Sequence, residues 1–226
     1  CLDAIRPIID HTTVQFSKPK RDPTIALKKV ARMSTPIKFN GGVAEYLKNR
    51  GLDIYPDSIK EAQLYTWEEG VKLGPFPSML GLIQDAKGAG VSYHITYTNN
   101  GQKLKGVTSR KIMPPKGTIT GAAIRLHDHE GHICLAEGIE TALAASKVSE
   151  LPAFSVMNAH CMATFEPPED VKAVDIYADN DASFVGQKSA YQLAERLAAK
   201  DIKTRILISP VVGEDWLDYL NNKGST

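Results

Sequence analysis

Cysteine is scarce in this chain of 226 residues: only Cys1, Cys134 and Cys161 are present. No two of them form a Cys-x-x-Cys pair, which argues against a disulfide scaffold and against a self-contained zinc ribbon. A reducing, intracellular compartment fits this usage. Long apolar runs are also missing, and none approaches the ~20 residues a membrane span needs. No stretch has the form of a signal peptide. Charge of one sign is lacking too: 27 Lys plus Arg balance 26 Asp plus Glu, a formal net charge of +1. Overall charge therefore points to no partner, and any nucleic-acid surface must come from local clustering. Methionine is absent from position 1, where Cys1 stands; the expectation is a fragment of a longer protein. Internal repeats and low-complexity segments are absent as well.

What is present is enough apolar residue, 42%, to build a real core. Residues 1–35 read as a basic linker or N-terminal arm ending in a short helix: within FSKPKRDPTIALKKVARMS, Lys18, Lys20, Arg21, Lys28, Lys29 and Arg32 face only Asp22, and Pro19 and Pro23 interrupt regular structure. GGVAEYLKNRGL (41–52) reads as a helix stopped by Gly51. A Pro- and Gly-containing region follows, around YPDSIK and GPFPSML. MLGLIQD (79–85) and VSYHITYT (91–98) read as strands, Asn99-Asn100-Gly101 as a hairpin turn, and QKLKGVT as the returning strand. The expected unit over 36–126 is thus a small, basic α+β subdomain with antiparallel strands.

The second half alternates. HICLAE, AFSVM, AVDIYA and TRILI read as strands, and 138–148 and 185–200 as helices. Nearly continuous apolar strands alternating with helices predict an α/β unit over 127–222 with a parallel sheet flanked by helices. In such sheets functional groups gather beyond the carboxyl ends of the strands. Glu137 follows one strand, Asp179 and Asp181 another, and Asp215 a third. Four carboxylates from three strand ends can converge on one edge, which is what hard divalent cations such as Mg²⁺ require. If strand geometry persists past Ala178, Asp179 and Asp181 point the same way and share one metal, while Asn180 points elsewhere. Each motif alone has a plainer explanation: the Asp-Asn-Asp triplet and Asp215 with Asp218 can be helix caps, and Glu137 a first-turn charge. Their joint order favours the metal site.

This ordered set, Glu137-Gly138, Asp179-Asn180-Asp181 and then Asp215, resembles the Toprim domain. AEGIETALAA, YADNDASFVGQKSAYQLAERL and GEDWLDYL are similar to the Toprim primases of phages and plasmids, with Glu214 and Leu217 departing from that pattern. AEYLKNRGL, FPSMLGLIQD and YHITYTNNGQKLKG resemble the region that precedes Toprim there, so the likeness runs over roughly residues 36–222. The resemblance implies a nucleotidyltransferase: a DNA primase core making short primers on single-stranded DNA from NTPs for phage or plasmid replication. It implies Mg²⁺ or Mn²⁺ held by Glu137, Asp179, Asp181 and Asp215, with the first three catalytic. No zinc is expected in this chain. A zinc-ribbon domain and a helicase are expected in the full protein or in trans, in the cytoplasm of a bacterial or phage-infected cell, with no membrane partner. A Toprim nuclease, and a non-catalytic module binding nucleic acid or a replication partner, are the competing expectations.

Residues 99–126 carry Lys103, Lys105, Arg110, Lys111, Lys116 and Arg125 and no acidic residue. Their charge suits a triphosphate or a template backbone, although lysines also protect solvated hairpin edges. Their position before Glu137 favours the first reading, and the resemblance singles out Arg125 in GAAIRL. Asn158 and Asn180 are expected to line the site. His94 reads as structural, His160 and Cys161 as loop residues, His127, His129 and His132 as a solvated turn, and Trp216 as packing under the Asp215 loop.

Overall fold

The structure of the protein, a computed structural model, describes residues 22–223. Cys1, Lys18, Lys20 and Arg21, and with them most of the expected basic arm, lie outside the described residues. The chain enters through α1 (Pro23–Met33). Asp22 caps this helix, its Oδ1 accepting the Thr24 N–H at 2.8 Å, with proline at the first helical position. There follow β1 (Thr35–Pro36), α2 (Gly42–Asn49), β2 (Ile59–Glu68), β3 (Val71–Gln84), β4 (Gly90–Asn99), β5 (Gln102–Lys103), β6 (Arg110–Ile112) and β7 (Ala123–Arg125). The second half is β8 (His132–Ala136), α3 (Ile139–Ser149), β9 (Ala153–Ser155), α4 (Ala159–Thr164), β10 (Ala173–Ala178), α5 (Val185–Ala198), β11 (Lys203–Ile208) and α6 (Trp216–Lys223). No helix among the described residues is long and apolar enough to cross a membrane.

The strands form one sheet in the order β1-β2-β3-β7-β9-β8-β10-β11, with β4 on the other side of β3 carrying β5 and β6. Strands β9, β8, β10 and β11 are mutually parallel, as expected of the alternating second half. The strands before them pair antiparallel, and β7 joins the two regions by pairing β3 on one side and β9 on the other. The Asn100-Gly101 turn closes β4 onto β5, Asn99 facing Gln102. Both turn residues have positive φ, 47° and 66°, which is the type I′ condition.

Several local expectations need correction. The Pro- and Gly-containing region is a long hairpin, β2–β3. Its prolines are tolerated because main-chain pairing of β3 with β4 begins only at Ser78, so Pro75 and Pro77 interrupt no ladder on that side. The returning strand after Asn100-Gly101 is only two residues long, and β6 takes up the edge of β4 further on. His160 and Cys161 lie in α4, not in a loop, because Asn158 caps that helix by accepting the Cys161 N–H at 2.9 Å.

Strand alternation divides the core. Cys134 and Ala136 of β8 pack with Tyr46 and Leu47 of α2, Ala142 and Leu143 of α3, and Trp216 and Leu217 of α6. Ile133 and Leu135 pack on the other face with Cys161 of α4 and Leu193 and Leu197 of α5. Each fully buried leucine or isoleucine contributes about 1.5–3 kcal/mol. Trp216 does pack beneath the Asp215 loop, edge-on to Tyr177 and Tyr219, and its indole N–H donates to the Leu207 carbonyl at 3.2 Å. These layers press α3, α5 and α6 against the sheet and so fix where their first residues project.

Candidate active site

Strands β8 and β10 end at Ala136 and Ala178, and β11 at Ile208. Glu137 and Asp179 are therefore the first residues past two adjacent parallel strands. The Glu137 carbonyl is pinned, accepting the Met157 N–H at 2.8 Å and the Ser155 hydroxyl at 2.9 Å. Asn180 fastens the next loop to this edge. Its amide donates to the Ser209 carbonyl at 2.7 Å, its Oδ1 accepts from Gln187 Nε2 at 3.2 Å, and its carbonyl accepts the Gly213 N–H at 2.6 Å. Asp215 then starts α6 with reciprocal capping: its Oδ1 accepts the Leu217 and Asp218 N–H groups at 2.8 and 2.9 Å, and Asp218 Oδ2 accepts the Asp215 N–H at 3.2 Å.

Asp179 stands at the centre of this edge. Burial, then Asp215, Glu137, Asp181 and Asp218, push its carboxyl up to about 7. Its Oδ1 is buried without a hydrogen-bond partner. Glu137 is also pushed up by burial; Arg110 opposes that shift and Asp181 adds to it. Asp181 differs. It lies past the end of β10, where strand alternation no longer sets its direction. It accepts the Ser183 hydroxyl and N–H and the Gly186 N–H, and these bonds lower its carboxyl. A Cβ on Gly186 would lie 3.2 Å from Asp181 Oδ2, so glycine lets α5 start this close. Among the described residues no three His, Cys, Asp or Glu side chains are near enough to form a ready metal cage. The donor set still suits a hard cation: all oxygen, with one buried carboxylate oxygen unpaired among like charges. Mg²⁺ keeps several waters and needs only one or two carboxylates directly.

The structure brings only some of the basic residues to this edge. Lys103 Nζ lies 2.9 Å and Arg110 Nη2 3.9 Å from Glu140 Oε1, one turn beyond Glu137. The Tyr46 hydroxyl donates to the same oxygen. Lys105 lines a 350 Å³ cavity with Lys103, Tyr46, Asn49, Arg50 and Gln102. Lys111 alternates with Ile112, which packs on the α2–α3 side, and so belongs to the opposite face of β6. Lys116 lines a groove against Thr24, Leu27 and Lys28 of α1. Arg125 donates to the Asp85 and Ala86 carbonyls, both at 2.9 Å, and its guanidinium lies over the Phe154 ring. It lines a separate 540 Å³ cavity with His127, Asp128 and His129, which contains none of the edge carboxylates. Asn158 and Asn180 are near the edge, but their side chains are committed to the α4 cap and to the loop clamp.

Glu140 and Tyr46 had no assigned role in the sequence reading. Glu140 is 4% exposed. Burial pushes its carboxyl up, but Lys103, Arg110 and the Tyr46 hydroxyl outweigh burial and hold it at about 2. Burial and then Glu140 push the Tyr46 hydroxyl far up, so it remains a donor. The one available signal was an acidic residue in the first turn of α3 inside an otherwise apolar run. His94 sits behind this group, and burial pushes it down to about 4, in keeping with a structural role.

The Toprim domain model matches residues 132–226. Residues 132–226 are a Toprim domain. The carboxylate edge, α3, α5 and α6 all belong to it. Residues 21–126 match a domain of unknown function, DUF7146. No curated protein matches the sequence. Among solved structures, the chain is similar to the primase fragment of the bacteriophage T7 primase-helicase protein (TM-score 0.50, 17% identity, 80% of this chain and 66% of that one). It is also similar to a DNA primase domain from Pseudomonas aeruginosa (TM-score 0.57, 15% identity, 89% and 75%). A third is the Aquifex aeolicus primase, comprising zinc-binding and RNA polymerase domains (TM-score 0.58, 16% identity, 92% and 60%). The chain thus spans 66%, 75% and 60% of the lengths of these three. At these identities the likeness carries the fold: a Toprim sheet in a primase-like frame.

Proposed function

We propose that this chain is the catalytic core of a DNA primase, a nucleotidyltransferase joining nucleotides into short primers on single-stranded DNA. The observation that carries this reading is Asp179: a buried carboxylate with an unpaired oxygen, among Glu137, Asp181, Asp215 and Asp218. Such a group is costly unless a cation meets it. Asp179, Glu137, Asp181 and Asp215 would hold Mg²⁺ or Mn²⁺, with Asp181 turning from Ser183. The bound cation supplies charge stabilisation for phosphoryl transfer. Lys103, Arg110 and Lys105 bind phosphate oxygens of the incoming triphosphate and share the charge that develops on the leaving pyrophosphate. The 3′-hydroxyl of a primer or of the first nucleotide attacks the α-phosphate and gives its proton to solvent, the new O–P bond forms, the α–β bridge breaks, and pyrophosphate leaves.

The division of labour is a basic subdomain over 36–126 on the nucleotide and template side and a catalytic domain over 127–222. The relatives support the wider setting. One is part of a primase-helicase protein, another includes a zinc-binding domain, and a DnaG primase catalytic domain of similar fold (TM-score 0.56, 14% identity) was solved bound to single-stranded DNA. A zinc-ribbon domain and a helicase acting with this core in phage or plasmid replication, in the cytoplasm, complete the proposal.

The test is incubation with single-stranded DNA, labelled NTPs and Mg²⁺ or Mn²⁺, beside Asp179→Ala/Asp181→Ala. Short products that disappear in the double variant support the reading. DNA degraded without synthesis points instead to a Toprim nuclease. If neither activity appears, even after a zinc-ribbon domain is supplied, the catalytic reading fails.

A further inference from the structure

The mechanism proposed above uses Lys103 and Arg110 but leaves unexplained the carboxylate that holds them. Glu140 lies in the first turn of α3, three residues beyond Glu137, and is 4% exposed. Its Oε1 meets three groups from three different elements: the Tyr46 hydroxyl of α2, Lys103 Nζ of β5 at 2.9 Å and Arg110 Nη2 of β6 at 3.9 Å. All three belong to the half of the chain that precedes the Toprim domain. The cations are not buried with it: the side chains of Lys103 and Arg110 are 28% and 50% exposed, against 5% for Glu140. Each thus anchors on a buried oxygen while keeping donors toward solvent. Lys has three donors and Arg five, so one contact to Glu140 exhausts neither.

We infer that Glu140 is a positioning residue that holds Lys103 and Arg110 in register with the carboxylate edge, so that both can receive the phosphate chain of a bound nucleoside triphosphate. This rests on the nucleotidyl-transfer reading and adds to it a group that touches neither substrate nor metal. A buried carboxylate that only completed the core would need a single partner. Here it collects two cations, and one of them, Arg110, also acts on Glu137.

The sign of one measurement separates this from plain charge balance. If Glu140 merely neutralises the two cations, Glu140→Gln frees them and triphosphate binding tightens. If it positions them, the same variant loses about tenfold in affinity, the scale of one charge-assisted hydrogen bond. The experiment titrates a fluorescent ATP analogue into protein saturated with Ca²⁺, and follows Mn²⁺ binding separately by EPR. The expected result is about tenfold weaker nucleotide binding by Glu140→Gln with unchanged Mn²⁺ affinity, and a smaller loss in Tyr46→Phe. The Tyr46→Phe variant keeps every charge, and so serves if Glu140→Gln does not fold. Equal or tighter nucleotide binding by Glu140→Gln, or, where that variant does not fold, no loss in Tyr46→Phe, overturns the inference alone. A wild-type protein that binds Mn²⁺ but no triphosphate overturns the nucleotidyl-transfer reading, and this inference with it.

Discussion

At the scale of single residues, a carboxyl pushed up to about 7 opposes folding at neutral pH. Between the ordinary Asp value of 3.8 and about 7, folded Asp179 keeps a proton that the unfolded chain has released. Its contribution to stability therefore falls as pH rises through that window, and the full penalty stands above it. The melting temperature of metal-free protein should thus be lower at about pH 8 than at about pH 5.5 as far as this residue governs it. Mg²⁺ should raise the melting temperature more at the higher pH, and Asp179→Asn should flatten both dependences. Thermal melts at the two pH values, with Mg²⁺ and with EDTA, read this directly. Glu140 has the opposite sign. Held at about 2 against an ordinary 4.5, it contributes stability above 4.5 that is lost as pH falls through about 2. The carboxylates were legible in the sequence because their order follows successive strand ends. The roles of the basic residues were not, since a run of lysines does not reveal which face each takes. Lys111 and Arg110 are neighbours in sequence and lie on opposite faces of β6.

At the scale of elements, the plain explanation of Asp215 as a helix cap holds, and its charge also reaches Asp179. Asp215→Ala should therefore cost about 1 kcal/mol in urea unfolding, whereas Asp215→Asn keeps a cap acceptor and should cost only a few tenths. Both variants should slow nucleotidyl transfer, so activity and stability separate in the asparagine variant. Asn180→Ala leaves the Ser209 carbonyl without its partner, while Gln187 keeps its bond to the Asp181 carbonyl, and should cost about 1–3 kcal/mol, measured the same way. Strands such as β10 and helices such as α5 could be read from their periods. The first half of strand β3 could not, because Pro75 and Pro77 read as breakers until it is known that β4 does not pair beside them. Helix α4 and strand β7 are six and three residues long, too short for any period to appear.

At the scale of the whole molecule, the sheet is continuous across the two sequence halves. Strand β7 pairs with β3 and with β9, and Tyr46 of α2 packs in one core with α3 and α6. The chain should unfold as one cooperative unit. Trp67 and Trp216 lie one in each half, the first 60% exposed on β2 and the other 6% exposed in α6. In Trp67→Phe, which leaves only the buried Trp216, fluorescence and far-UV circular dichroism should give the same urea midpoint. Leu193→Ala, which opens a cavity between α5 and the sheet, should lower both midpoints together by an amount equivalent to about 2–5 kcal/mol. Separate midpoints would show that the halves fold independently.

The central claim is that the unpaired oxygen of Asp179 awaits a divalent cation at the ends of β8, β10 and β11. Mn²⁺ titration followed by EPR of the free ion, on wild type and Asp179→Asn, tests it most directly. Wild type should bind Mn²⁺, and the affinity should fall about tenfold or more in the variant, since only the charge and one ligand oxygen change. Equal Mn²⁺ affinity in the two proteins would contradict it.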